Sequence, residues 1–269
     1  MGRDVLSESL LLSEVCRIRL EQPRIGCRKL HHMLVSRLPA GMVPGRDKLF
    51  GILRREGMLV RMRRSSRPVT TMSWHRFHKY PNTYMNRMPR SPNEVWVSDI
   101  TYIRMSGDGF MYLSLITDAY SHKIVGWALS PSLSMDGPLE ALSMALESLP
   151  QKHCLTHHSD RGVQYCSDKY VSTLRKRHVG ISMTENGDPL ENAVAERVNG
   201  ILKTEWPELQ QCTSEEQARE VTARVIGTYN CRRPHLSVGY LTPEQAHRTN
   251  GMSERKWKTY YKKKGEIMT

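Results

Sequence analysis

The run Trp96-Val97-Ser98-Asp99-Ile100-Thr101-Tyr102 decides how the chain is read. It is apolar, β-branched and aromatic, as a half-buried strand should be, and one carboxylate interrupts it. A bare carboxylate in such a strand is costly to bury unless it is paired or metal-bound. The bland alternative is a charge on an exposed sheet face, which Trp96, Val97 and Ile100 make a poor fit. Working outward, residues 95–105, 110–118 and 123–130 all read as strands. Gly107-Asp108-Gly109 turns the first into the second. A helix over 136–148 follows, then a strand at 154–158, a helix at 167–178, a strand at 180–184 and a long helix at 189–206. A last helix, 215–229, closes the core. A meander followed by alternating helices and strands is an α/β layer fold with a mixed sheet.

Ahead of this core, residues 8–57 read as three short helices. The first carries Leu11, Leu12, Val15, Ile18 and Leu20 at roughly helical spacing. The second carries Leu30, Met33, Leu34 and Leu38 inward, and the third Leu49, Ile52 and Leu53. Short helices with tight turns and a basic surface suit a helix-turn-helix, with a generic helical bundle as the alternative. The domain reading is therefore 1–57 helical, 58–92 a basic linker, 93–250 the core and 251–269 a basic tail. Arg61, Arg63 and Arg64 in the linker can lie along a DNA backbone, with Trp74 free to stack; a plain tether is the alternative.

The net charge of +13 is unevenly spread. Residues 1–90 carry +13, residues 91–206 carry −4 and residues 207–269 carry +4. Basic flanks attract polyanions such as DNA, and an acidic centre between them fits a carboxylate site that needs metal. No apolar run is long enough to span a membrane and no secretory layout opens the chain, so it reads as cytosolic. The six cysteines form no CxxC pair and read as reduced thiols.

Phosphodiester chemistry near neutral pH needs a strong nucleophile and charge neutralisation. Paired divalent ions supply both, and they require converging carboxylates. Asp160 follows a short strand and precedes Arg161-Gly162, where ligands of α/β sheets gather; alone it reads equally well as a turn cap. Glu196 sits on the long helix, which Asp188, Pro189 and Glu191 start well. Val194, Val198 and Ile201 share one face of it, and Asn192, Glu196, Asn199 and Lys203 share a polar stripe opposite. A solvated face is the usual meaning of such a stripe. His157 and His158 are poorer partners for magnesium than carboxylates. Asp118 reads as a structural strand-end acid.

Asp99, Asp160 and Glu196, with Lys203 seven residues on, resemble the Asp, Asp-35-Glu signature of retroviral integrases and insertion-sequence transposases. The phrases 158–165, 191–205, 229–235 and 241–243 match too, and 24–30 resembles the helix-turn-helix before the core in the IS3 family. The likeness covers about residues 10–250. It implies a ribonuclease-H-like integrase core that cleaves and joins DNA strands at element ends. It implies that Asp99, Asp160 and Glu196 hold two magnesium ions, with manganese able to substitute. Lys203, Asn192, Asn199 and Gln164, with Arg28 and Lys29 in front, would contact double-stranded DNA. Arg232, Arg233 and His235 would either contact phosphate or cap the final helix. The resemblance also implies a homo-oligomer, fused by frameshift to a small upstream helix-turn-helix protein. Glu191 and Arg197-Val198 depart from the usual pattern without replacing a ligand. A DNA-binding regulator and a nuclease of RNA–DNA hybrids are the competing readings; the intact acids oppose the first and the basic helical front opposes the second.

Overall fold

The computed structural model describes residues 2–60, 76–85, 88–107, 109–185 and 189–251. Arg61, Arg63, Arg64, Trp74, Asp108, Asp188 and the tail from residue 252 lie outside the described residues.

The front region folds as α1 (Gly2–Glu21), α2 (Cys27–Arg37) and α3 (Arg46–Arg55). Leu11, Val15, Ile18, Leu30, Leu34, Leu49 and Leu53 form its buried core. Leu20 does not join them and stands 81% exposed. Two residues past Ile18 is about 200° round a helix, so both cannot face inward. Residues 38–45 separate α2 from α3, a longer connection than the tight turn expected of a helix-turn-helix.

The core sheet contains β1 (Val95–Arg104), β2 (Phe110–Asp118), β3 (Ile124–Ser130), β4 (Thr156–Ser159) and β5 (Gly180–Met183). Its five strands run in the order β3-β2-β1-β4-β5. β1–β2 and β2–β3 pair antiparallel, while β1–β4 and β4–β5 pair parallel, so the sheet is mixed as the pattern predicts. Between them run α4 (Asp136–Glu147), α5 (Val163–Cys166) and α6 (Asp168–Lys176). The short α5 escaped the sequence reading, which began a single helix at Ser167. Ser167 instead ends α5 and caps α6, its Oγ accepting from the Tyr170 N–H at 3.4 Å.

After β5, Pro189–Asn192 is a 3₁₀ turn and α7 spans Ala193–Glu205. One continuous helix was expected. Asn192 breaks it with φ −127°, its amide turned to donate to the Ser98 carbonyl at 3.0 Å. Helices α8 (Glu215–Arg232) and α9 (Pro243–Ala246) complete the chain's described end.

Each sheet face buries its own cluster. Trp96, Ile116, Ala141, Leu142, Ala145 and Leu174 pack on the side of α4 and α6. Ile103, Leu113, Leu115, Val198, Ile201 and Val225 pack on the side of α7 and α8. Gly126 on β3 lets α4 approach closely. A methyl there would stand 2.8 Å from Ala145 Cβ and closer still to the Ala141 carbonyl. Gly126→Ala is expected to cost about 1–3 kcal/mol of stability, as overpacking does. A denaturant melt with an unchanged midpoint would contradict this close approach.

The helical front docks on the core. Trp206 Nε1 donates to the Glu21 carbonyl at 2.8 Å, and Gln22 Nε2 donates to the Arg232 carbonyl at 3.2 Å. His32 stacks on Tyr240 at 4.5 Å, and Lys29 pairs with Glu205 at 3.2 Å. Among the described residues, no helix is long and apolar enough to cross a membrane.

Candidate active site

The parallel pairing of β1 with β4 sets two acids side by side. Val97 stands opposite His158, and Asp99 and Asp160 each lie two residues further along. β4 ends at Ser159, so from Asp99 onward that edge of β1 is unpaired. Both carboxyls are half-buried at this strand end. The Asn199 amide donates to Asp99 Oδ2 at 2.7 Å, and the Ile100 N–H to Asp99 Oδ1 at 2.9 Å. The Gly162 N–H donates to Asp160 Oδ1 at 2.9 Å, fixing that side chain over the turn into α5.

Glu196 lies in the first turn of α7 and is exposed. Its charge still reaches Asp99. Burial, then the charges of Asp160 and Glu196, push the Asp99 carboxyl up to about 7, against the two hydrogen bonds that favour its ionised form. Three acids thus share one field, with Asp99 at its centre. Among the described residues, no three His, Cys, Asp or Glu side chains converge closely enough to hold one ion. The arrangement fits a divalent cation at the aspartate pair in two respects. Its donors are carboxylate oxygens, and its like charges repel where a cation would relieve them.

The stripe is only partly solvated: Glu196 is exposed, and its two asparagines are not. Asn199 and Asn192 are buried, and both amides are spent on β1, at Asp99 and at the Ser98 carbonyl. Their Oδ1 atoms are buried without a partner among the described residues. Both were expected to touch DNA; the structure turns them inward, where they hold α7 to the strand that carries Asp99. Lys203 lies over the Tyr102 ring at 4.1 Å. Burial lowers its ammonium from the usual range, and the charge of Asp99 opposes that shift. Gln164 is buried as well and donates to the Leu133 carbonyl at 3.2 Å.

The two histidines are spent inside the fold. His157 Nε2 lies 2.6 Å from Ser98 Oγ and 2.9 Å from the Tyr170 hydroxyl. Burial pulls it down to about 3, so it stays neutral. His158 bonds through Nδ1 to Ser182 Oγ at 2.9 Å and through Nε2 to the Glu191 carbonyl at 3.0 Å. Tyr165, not singled out from sequence, is buried within reach of the charges of the two aspartates. Its hydroxyl has no hydrogen-bond partner among the described residues, and burial raises its pKa well above the usual value. Asp118 accepts from the Asn93 N–H at 2.7 Å and from the Ser121 N–H at 2.8 Å, the structural part read for it.

Two basic candidates also find other work. Lys29 faces Glu205, and burial brings its ammonium down to about 8. Arg233, 1% exposed, donates Nε and Nη2 to Glu205 at 2.7 Å each, and Nη1 reaches His235 Nε2 at 2.7 Å. Lys29, Arg233 and His235 therefore form a buried internal network, not a phosphate contact. Arg232 pairs with Glu21, and Arg28 is exposed.

Two integrase core domain families match the chain, over residues 89–189 and 177–243. An insertion-element IS600 protein of Shigella sonnei is 32% identical over 86% of this chain and 83% of its own length. Transposase InsF of insertion sequence IS3A from Escherichia coli K12 is 32% identical over 74% of this chain and 69% of its own. The catalytic core of HTLV-2 integrase overlays with a TM-score of 0.46 at 18% identity, covering 59% of this chain and 98% of that one. The sheet and its flanking helices are thus an integrase core, the class of polynucleotidyl transferases that integrate DNA. The chain belongs to the IS3 family of insertion-sequence transposases.

Proposed function

We propose that this transposase cleaves and joins DNA strands at the ends of an insertion sequence through Asp99, Asp160 and Glu196. The observation that carries the reading is the crowding of acids at the free edge of β1, where Asp160 and Glu196 press on a half-buried Asp99. An arrangement that costs stability when ionised is retained most simply because it holds something cationic. Asp99 and Asp160 would be the principal ligands, with Glu196 completing the set from the first turn of α7. Two magnesium ions, or manganese in their place, would when bound ready a water and then a 3′-hydroxyl for attack and take up charge on the leaving oxygen.

The chain's own residues do the rest. Asn199 and the Ile100 N–H keep the Asp99 oxygens oriented, and the Gly162 N–H does the same for Asp160. Asn192 anchors the start of α7 and so the position of Glu196. Lys203, held beside Asp99 on Tyr102, meets the phosphate next to the reacting one. Arg28 and the linker residues Arg61, Arg63 and Arg64 contact the flanking duplex, chiefly through its phosphates. A small upstream helix-turn-helix protein, joined by frameshift, contributes to recognition of the ends. The active form is a homo-oligomer at work on cytosolic DNA.

The test is strand cleavage and joining on labelled element-end DNA with magnesium. Wild type should cut and join, while Asp160→Asn should bind the DNA and do neither. Equal activity in the two proteins would remove Asp160 from the site. Binding without cleavage in both, even with the upstream protein fused, would leave a DNA-binding regulator.

A further inference from the structure

We infer that the far end of the β1–β2 hairpin is a platform on which unpaired DNA bases stack; this rests on the strand-cleaving reading above. The antiparallel register sets Tyr102 opposite Tyr112 and Arg104 opposite Phe110. Tyr102, Arg104, Phe110 and Tyr112 therefore share one face of the sheet. Tyr102 and Phe110 meet edge to face at 5.5 Å and 87°. A cation covers each of them: Lys203 lies 4.1 Å from the Tyr102 ring and Arg104 lies 5.9 Å from that of Phe110. Phe110 is 44% exposed and Arg104 is exposed. Next to them opens a cavity of about 430 Å³, lined by Arg104, Met105, Ser106, Gly107, Phe110 and Gln210.

A lone exposed aromatic would mean nothing. Here three aromatics stand in register with a cation at either end, and Lys203, the cation over Tyr102, also feels the charge of Asp99. Asp99 and Arg104 are five residues apart on one strand, roughly 17 Å at about 3.3 Å per residue, and so point to opposite faces of it. Aromatic rings beside cations on an open sheet match a single strand, whose base faces are free and whose phosphates lie alongside. A duplex hides its base faces inside the stack, so it offers such a platform only its backbone. The occupant is therefore an unpaired DNA segment that passes round the open edge of β1 from the carboxylates to this face. The long β1 and short β4 are what leave room for it.

The experiment uses the whole chain, without divalent metal. Two probes are compared: a blunt duplex and the same duplex with a single-stranded tail carrying 2-aminopurine, whose fluorescence falls on stacking. Wild type should bind the tailed probe more tightly and quench it. Phe110→Ala and Tyr112→Ala should each weaken tailed binding about tenfold, reduce the quenching and leave blunt-duplex binding unchanged. Phe110→Trp should keep both. Equal losses on the two probes, or full quenching by Phe110→Ala, would overturn the platform. Because no cleavage is read, the two readings fail separately. A protein that cuts element ends but ignores the tail loses only the platform. One that prefers the tail but never cuts keeps the platform and loses the catalytic assignment.

Discussion

Asp99→Asn should abolish strand transfer and, without metal, make the protein more stable at pH 8. The first half follows from the proposed ligand role. Losing charge stabilisation worth several kcal/mol lowers the rate on the order of a thousandfold or more. The second half follows from linkage. Asp99 has a reference value of 3.8 and is pushed up to about 7 in the fold, chiefly by burial. Between those values the folded state holds the proton that the unfolded state has released. Its contribution to stability is thus fully present below pH 3.8 and is lost as pH rises through about 7. An asparagine cannot ionise, so it escapes that loss. The variant should gain about 1–3 kcal/mol at pH 8 and roughly a third of that at pH 5, which lies about a third of the way from 3.8 to 7. Added magnesium should raise the wild-type melting temperature at pH 8, do less at pH 5, and do little for the variant. Thermal melts at both pH values, with and without metal, decide it. A variant no more stable than wild type at pH 8 would mean that Asp99 is not under charge stress.

What the sequence yielded, and what it withheld, follows from the range of each signal. The strands and helices of the core were legible because period and turn residues are local. Phe110–Asp118 was read to the residue, since Gly107 and Gly109 bound it on one side. Asp99 stood out because a carboxylate contradicts its apolar neighbours, whereas Asp160 by itself read equally well as a turn cap until the resemblance singled it out. Asn192 and Asn199 were read on one stripe with Glu196, but Asn192 precedes α7 and Asn199 turns to its buried side, because a helical wheel does not say what stands opposite. β1 stands there, and so the amides are buried instead of solvated. Lys29 was read as a DNA contact for the same reason, and Arg233 was left between phosphate and a cap on the final helix, whose C-cap it is. Their partner Glu205 is 176 residues from one and 28 from the other, and no pattern along the chain announces such a pair. The platform could have been found. Folding 95–105 against 110–118 about the glycine turn puts Tyr102 against Tyr112, yet each aromatic alone looks like ordinary strand filling.

The Glu205 network gives the second large effect. Glu205 ends the helix that begins beside Glu196, and it binds Lys29 from the front region and Arg233 from beyond α8. Burial would raise its carboxyl, but the bonds and charges of Arg233 and Lys29 outweigh this and hold it below its usual 4.5. For Lys29 the balance runs the other way: burial and the nearby Arg233 outweigh Glu205. Arg233 is therefore the partner that makes the buried carboxylate tolerable, and Lys29 is the weaker one. Arg233→Met keeps most of the side chain's bulk and removes its charge, leaving Glu205 buried with one partner. Breaking a buried pair from one side costs about 3–5 kcal/mol, and denaturant melts at pH 7 should read a loss of that size. The sign of its pH dependence is fixed. With its pKa depressed, Glu205 stabilises the wild type above about pH 4.5, and that contribution fades as pH falls through its lowered value. In the variant, protonating Glu205 removes the stranded charge. The gap between the two proteins should therefore narrow below about pH 4.5. A constant gap from pH 7 to pH 4 would assign the loss to packing on Tyr229, which Arg233 covers at 5.8 Å. A gap that closes would show that charge holds the end of α7 in place, and with it the helix from which Glu196 reaches the site.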